Sequence, residues 1–160
     1  MRVGHLPVLK NGGVGFMNDK NNYYSFAMRD YNSIHLFLSS GSDDYDSIVV
    51  FCQQFLEKYL KHLLEITQGK SLRVHKLTVL AYNLQIEELD KYDDFFRKVQ
   101  DYYFDKRYPG DCYIETTKDE CDYVVNKTEE LKVVLDRVLS NVPKEESIKQ
   151  LDVFGKFKKE

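Results

Sequence analysis

The chain has 160 residues, of which 42% are hydrophobic, 14% aromatic and 31% charged. This length fits one compact domain, and the apolar content excludes a collagen-like or mostly disordered chain. The net charge of −3 lacks the basic excess of proteins that hold nucleic acid along their whole surface. Residues 1–16 show no apolar block like that of a signal peptide, and no stretch is apolar enough to span a membrane, so we expect a cytoplasmic protein. Three cysteines without a close pair predict free thiols, and we expect no metal and no cofactor.

The N-terminal segment, residues 1–18, is rich in glycine and asparagine and lacks apolar periodicity, so we expect a flexible arm. Its glycine run has no following Lys-Ser or Lys-Thr pair and no preceding strand, which argues against a phosphate-binding loop. The helical domain is predicted over residues 19–142. Its first helix, residues 20–40, has one apolar stripe with members three and four residues apart, and Gly41 marks its end.

A central helix is predicted from the acidic residues after Gly41 to Thr67, with Gly69 at its end. Its wide apolar face indicates contacts on several sides. The remaining face is polar, and we expect these side chains to face solvent or to bond to a neighbouring helix, with ligand binding as the alternative: Gln53, Gln54, Glu57, Lys58 and Lys61.

Three further helical patterns follow the central helix. A short one starts after His75, and the next contains Phe95 and Val99 and leads to the Pro109-Gly110 stop. A long last helix is predicted to start with a capping box at Thr117 and to run to Pro143. Residues 143–160 form a tail with apolar spacing suited to a short helix, which either packs on the domain or extends from it. Together these elements predict an all-α fold, an up-and-down antiparallel four-helix bundle with an additional short helix.

Three sequence blocks occur together in a fixed order: residues 51–64, residues 75–80, and Tyr102-Tyr103 followed by residues 107–111, Arg-Tyr-Pro-Gly-Asp. In combination they resemble the HEPN domain, named for higher eukaryotes and prokaryotes nucleotide-binding, over roughly residues 22–142. The resemblance implies a bundle that commonly forms homodimers and is often encoded beside a minimal nucleotidyltransferase, which is a candidate partner. Its members include RNases of toxin–antitoxin and defence systems, and also non-catalytic modules that bind nucleotides or partner proteins.

The RNase members carry an arginine followed, after four to six residues, by a histidine. Arg107 matches that arginine, but Cys112, Tyr113 and Ile114 occupy the positions where the histidine should stand. Attack by a ribose 2′-hydroxyl needs a proton acceptor, and the ordinary pKa of tyrosine, about 10, makes Tyr113 a poor one. We therefore expect RNase activity to be absent, with Arg107 and Tyr113 as the catalytic candidates within this motif.

A binding site remains plausible on chemical grounds, because the planar guanidinium of Arg107 matches phosphate and Lys106 adds a second charge. The candidate ligand-binding residues are Arg107, Lys106, Tyr108, Asp111, Tyr113 and His75. The structural alternative has Arg107 capping its helix or pairing with a nearby carboxylate. The surrounding aromatic residues either stack on bases or fill the end of the bundle or a dimer interface.

Three functions follow from these observations. The leading interpretation is a homodimeric HEPN-like module that binds a nucleotide, RNA or a partner protein near Arg107 without cleaving RNA. The first alternative is a metal-independent endoribonuclease in which Tyr113 or a distant histidine such as His75 replaces the usual histidine. The second is a scaffold or interaction protein with no role in nucleic-acid binding.

Overall fold

Helices account for all regular elements in the described part of this computed structural model, residues 21–111 and 113–143. The prediction of an all-α fold is confirmed. The predicted arm, nearly all of the predicted tail and Cys112 lie outside the described residues. No described helix has the length and apolar content to cross a membrane. The elements, in chain order, are α1 (Tyr23–Ser39), α2 (Tyr45–Gln68), α3 (Leu77–Leu84), a 3-10 helix (Glu87–Tyr92), α4 (Asp93–Val99), α5 (Tyr102–Asp105) and α6 (Lys118–Ser140).

Side-chain caps start the three long helices. Asn22 accepts a hydrogen bond from the backbone of Ser25 at 2.8 Å, and Asp44 accepts one at 3.1 Å at the start of α2. Thr117 does the same for the backbone N–H of Glu120 at the start of α6. The predicted capping box is only half formed, because the Glu120 carboxylate instead accepts a hydrogen bond from Tyr102. Each satisfied N–H contributes about 1 kcal/mol to the helix.

Helix α2 lies at the centre of the bundle. It packs against α1, α3, α5 and α6, as its wide apolar face predicted. The connection from α1 is only the short 40–44 turn, so these two helices run antiparallel. The polypeptide leaves α2 through Gly69, whose φ of +63° favours glycine. The fully buried α2 side chains include Phe55, Leu60 and the free thiol of Cys52.

Helix α6 is connected to three other helices by tyrosine hydroxyls that donate to its carboxylates. Tyr31 of α1 bonds to Glu129 at 2.7 Å, and Tyr59 of α2 bonds to Asp136 at 2.6 Å. Tyr102 of α5 bonds to Glu120 at 2.7 Å. Burial and these hydrogen bonds raise the pKa of all three phenols. The phenols therefore stay protonated and continue to donate at neutral pH.

The predicted single helix that leads to Pro109 is instead divided into α4 and α5 and ends at Asp105. The break lies at Gln100 and Asp101. Gln100 accepts a hydrogen bond from Thr78, and Asp101 pairs with Lys76, so both residues are attached to the start of α3. At the other end of the domain, α6 stops at Ser140, two residues before the predicted last member of its stripe.

Candidate functional site

The segment between α5 and α6 is held by Asp46, which lies in the first turn of α2. Asp46 accepts hydrogen bonds from the hydroxyl of Tyr113 and from both the backbone N–H, at 3.0 Å, and the hydroxyl of Thr116. Burial alone would raise the pKa of Asp46, but these hydrogen bonds outweigh burial and lower it below its ordinary value. The segment that carries Arg107 is thus attached to the central helix.

Lys106 takes part in this attachment. Its ammonium donates to the carbonyl of Ile114, lies 3.9 Å from the Asp46 carboxylate and faces the ring of Tyr102 at 5.6 Å. Only 8% of its side chain is exposed. Lys106 therefore holds the two ends of the segment together, and its charge is already partnered.

Tyr113 has half of its surface exposed and directs its hydroxyl to Asp46. This hydrogen bond, with a smaller contribution from burial, raises the pKa of Tyr113 to about 12. A phenol with that pKa is neutral near pH 7 and donates a proton rather than accepting one. The geometry thus adds a second reason to doubt Tyr113 as a replacement for the missing histidine.

Arg107 is exposed, and its guanidinium lies 5.3 Å from the centre of the Tyr103 ring. Within the described residues it makes no hydrogen bond and no ion pair, so it neither caps α5 nor pairs with Asp105 or Asp111 there. Contact with an aromatic face orients a guanidinium without using its N–H donors. These donors therefore remain available for an anion.

Part of the polar face of α2 is buried, so the expectation of contact with solvent is wrong for three of its residues, while Lys58 bonds to Asp30 of the neighbouring α1 as the other expectation states. Gln53, Glu57 and Lys61 have exposed fractions of 1%, 5% and 6%. The Glu57 carboxylate accepts hydrogen bonds from Lys61 at 2.8 Å and from Gln53 at 3.1 Å. A buried charge requires such partners, and Glu57 receives them from one turn before and one turn after it on the same helix.

His75, in the segment before α3, completes the environment of Glu57. Its Nδ1 atom lies 2.9 Å from Glu57 Oε1, whereas 68% of its side chain is exposed. Because a carboxylate only accepts hydrogen bonds, this contact assigns the proton to Nδ1. In the neutral ring, Nε2 is then the acceptor. Glu57 therefore fixes the tautomer of an otherwise exposed histidine.

The charges of Arg107 and Glu57 both influence Asp30. Asp30 on α1 forms an ion pair with Lys58 on α2. Burial raises the pKa of Asp30, and the carboxylate of Glu57 raises it further, while the charges of Lys58 and Arg107 lower it. Asp30 is thus within electrostatic reach of both Arg107 and Glu57, which lie on different elements.

The six predicted binding residues fall into four groups. Arg107 and Tyr108 lie at an exposed aromatic patch, and Tyr108 is 57% exposed. Lys106 and Tyr113 face Asp46, and His75 contacts Glu57. Asp111 is exposed on the turn after Arg107. No three metal-ligating side chains meet anywhere in the described ranges.

Sequence reasoning did not identify Glu57 and Asp46 as organising residues. Glu57 was placed on the polar face of the central helix, and Asp46 is one of the acidic residues at the start of that helix. The available signal was the width of the apolar face, which leaves little of α2 in contact with water.

The described part of the chain is a small helical bundle that carries an exposed arginine on the turn after α5. Comparison with protein families adds the identity of the domain, since the model of the HEPN domain matches residues 22–138. Because the match spans most of the chain, the protein belongs to the HEPN domain family. Comparisons with curated proteins and with solved structures gave no significant match.

Proposed function

We propose that this HEPN domain binds the phosphate of a nucleotide or of RNA through Arg107, acts as a homodimer and does not cleave RNA. One observation supports the binding most strongly: Arg107 is exposed and oriented by Tyr103, and no other described residue occupies its donors. A bidentate arginine–phosphate contact is short and charge-assisted, so it discriminates strongly for phosphate. HEPN domains commonly dimerise, and this is the basis for the proposed homodimer.

The absence of cleavage is inferred from the lack of a proton acceptor at the positions where the histidine of the RNase members stands. Cleavage of RNA without a metal requires a group that takes the 2′-hydroxyl proton near neutral pH. Tyr113 occupies one of the positions expected for the histidine. Its pKa of about 12 keeps the phenol protonated near pH 7, so it does not accept the 2′-hydroxyl proton. Phosphate binding by Arg107 does not depend on such a group.

RNA cleavage is the second candidate function, and the contact between Glu57 and His75 favours it. A histidine held by a carboxylate through Nδ1 presents Nε2 as a base, as in many sites that activate a hydroxyl. His75 would take the 2′-hydroxyl proton while the 2′-oxygen attacks phosphorus and the bond from phosphorus to the 5′-oxygen breaks. The 5′-oxygen would leave as a hydroxyl with a proton from water, and Arg107 would stabilise the charge on the phosphate oxygens. This candidate requires both residues to reach one phosphate.

The test uses a 5′-labelled single-stranded RNA of about 12 nucleotides, a length within the usual site sizes. We expect Arg107→Ala to weaken binding about 10- to 100-fold in fluorescence anisotropy, because it removes a charge-assisted contact. The matched control is Arg97→Ala, which removes the same charge from an exposed pair with Asp93. An equal loss of RNA affinity in both variants would show that the effect comes from net charge alone, and it would contradict a binding site at Arg107.

The same RNA, incubated with the protein in EDTA and resolved on a denaturing gel, separates binding from cleavage. We expect intact RNA with the wild type. Cleavage that disappears in both Arg107→Ala and His75→Ala, but persists in Tyr113→Phe, would establish the second candidate instead. Light scattering after size-exclusion chromatography tests the homodimer, since a dimer has twice the mass of the chain.

A further inference from the structure

Three aromatic rings of α5 and the following turn form a continuous patch. The centroids of Tyr103 and Phe104 are 5.1 Å apart, and those of Tyr103 and Tyr108 are 6.4 Å apart. Phe104 and Tyr108 are 6.3 Å apart and nearly parallel, with an interplanar angle of 24°. We call Tyr103, Phe104 and Tyr108 the aromatic patch.

The aromatic patch does not belong to the core. Phe104 is 55% exposed and Tyr108 is 57% exposed, whereas the adjacent Tyr102 is 6% exposed and bonded to Glu120. The alternative stated above, that the aromatic residues around Arg107 fill the end of the bundle, therefore holds for Tyr102 and not for Phe104 or Tyr108. Two large aromatic side chains that are half exposed side by side form a contiguous apolar surface, whereas single exposed rings are common and need no explanation.

Arg107 connects the patch to the proposed phosphate site. Its guanidinium lies over Tyr103, the ring that contacts both other members. The N–H donors of Arg107 and the faces of the rings thus lie side by side within a segment of six residues. Lys106 attaches this segment to Ile114 and Asp46. A nucleotide offers the matching pair of groups, a phosphate and a flat base joined through a sugar.

We propose that Phe104 and Tyr108 form a stacking platform for an unpaired base whose phosphate is bound by Arg107. The ligand is then single-stranded nucleic acid, and duplex RNA, whose bases are already stacked and paired, is excluded. This inference rests on the proposed function of Arg107. It assigns to the two rings a recognition role that phosphate binding alone does not require.

The size of the patch favours a base over a protein partner. A fully exposed aromatic side chain offers about 150–250 Å², so three partly exposed rings offer roughly 300 Å². A stable protein interface covers about 800 Å² on each partner. Asp105 and Asp111, which flank the patch residues in the sequence, are charged and exposed. One or two bases cover an area of this size.

The experiment compares three probes by fluorescence anisotropy at one salt concentration. The first is the single-stranded RNA used above, the second is a ribose-phosphate oligomer of equal length without bases, and the third is the duplex of the first. We expect the single strand to bind about 5- to 100-fold more tightly than the other two. Phe104→Ala and Tyr108→Ala should each remove that preference and leave the affinity for the base-free oligomer unchanged.

The matched control is Tyr82→Ala, since Tyr82 is an aromatic residue of α3 that is 81% exposed. The variants Phe104→Tyr and Tyr108→Phe keep a ring and should keep the preference, and circular dichroism verifies the fold of each variant. Phe104→Ala and Tyr108→Ala without effect on the single strand would overturn the stacking platform. A loss of self-association in these two variants, with unchanged RNA affinity, would identify the patch as a protein interface instead.

The two proposals can fail separately. If no probe binds, or if Arg107→Ala binds every probe as the wild type does, the phosphate site itself is wrong. If Arg107→Ala weakens all three probes but the wild type does not distinguish them, the phosphate site stands and the stacking platform is refuted.

Discussion

Replacement of Glu57 by leucine tests whether the buried polar cluster of α2 is as sensitive as its geometry implies. The substitution removes the carboxylate that Lys61 contacts at 2.8 Å, and only 7% of the Lys61 side chain is exposed. The remaining partner of the Lys61 ammonium in the described structure is the ring of Tyr23, 5.6 Å away. The variant therefore leaves a charge that is buried and nearly unpaired.

The magnitude follows from two opposing contributions. At 2.8 Å and an effective dielectric constant of about 20, the attraction is about 6 kcal/mol, and desolvation of the two ions offsets several kcal/mol of it. Removing one partner recovers none of the desolvation of the other, so we expect Glu57→Leu to lower the free energy of unfolding by about 3–5 kcal/mol. Lys61→Met should cost less, because Gln53 and His75 still donate to Glu57.

The double variant, Glu57→Leu with Lys61→Met, removes both charges and should lie within about 1 kcal/mol of the wild type. Urea denaturation followed by circular dichroism gives the three free energies and, from them, the coupling between the two residues. Asp122→Ala is the control, because it breaks an exposed pair with Lys118 at the same helical spacing and should cost under about 0.5 kcal/mol. A double variant as unstable as the sum of the singles would refute the reasoning.

Two further predictions concern the packing of the core and the dependence of stability on pH in acid. Leu60 and Leu131 are fully buried, so Leu60→Ala and Leu131→Ala should each lower the free energy of unfolding in urea by about 2–5 kcal/mol. Val133 is 63% exposed, so Val133→Ala should lower it by under about 0.5 kcal/mol. Similar losses at all three positions would contradict the packing. The pKa of Asp46 is lowered in the folded state. The ionised carboxylate therefore contributes its full stabilisation above the ordinary pKa of about 3.9, and this stabilisation is lost as the pH falls through the lower pKa of the folded state. The stability difference between the wild type and Asp46→Asn should therefore shrink as the pH falls through the ordinary pKa and then through the lower folded one, and a difference that stays constant would show that the Thr116 contacts do not depend on the charge.

The helices could be predicted from the sequence because periodicity and capping residues are local signals. The stripe of α2, the stops at Gly41 and Gly69, and the cap at Thr117 depend on residues within a few positions of each other. The division between α4 and α5 could not be predicted in this way. It coincides with contacts between Gln100, Asp101 and the start of α3, which are more than twenty residues away in the chain.

The candidate site was only partly predictable for the same physical reason. Arg107 was found because its sequence neighbours resemble a known motif, and the structure describes it as exposed. The distinction between Arg107 and its neighbour Lys106 required coordinates, because adjacent cations look alike in a sequence. Lys106 donates to Ile114, eight residues later, and this contact depends on how the intervening segment folds back.

The central position of α2 has a consequence for sequence variation. One face of the helix supplies the bundle with Phe55 and Leu60, while another supplies Glu57, and both are almost free of contact with water. A saturation library across Tyr45–Gln68 would therefore contain few neutral substitutions at the buried positions, and changes there would be tolerated only in backgrounds with surplus stability. Sequence change is tolerated more readily on the exposed turn that carries Arg107 and Tyr108.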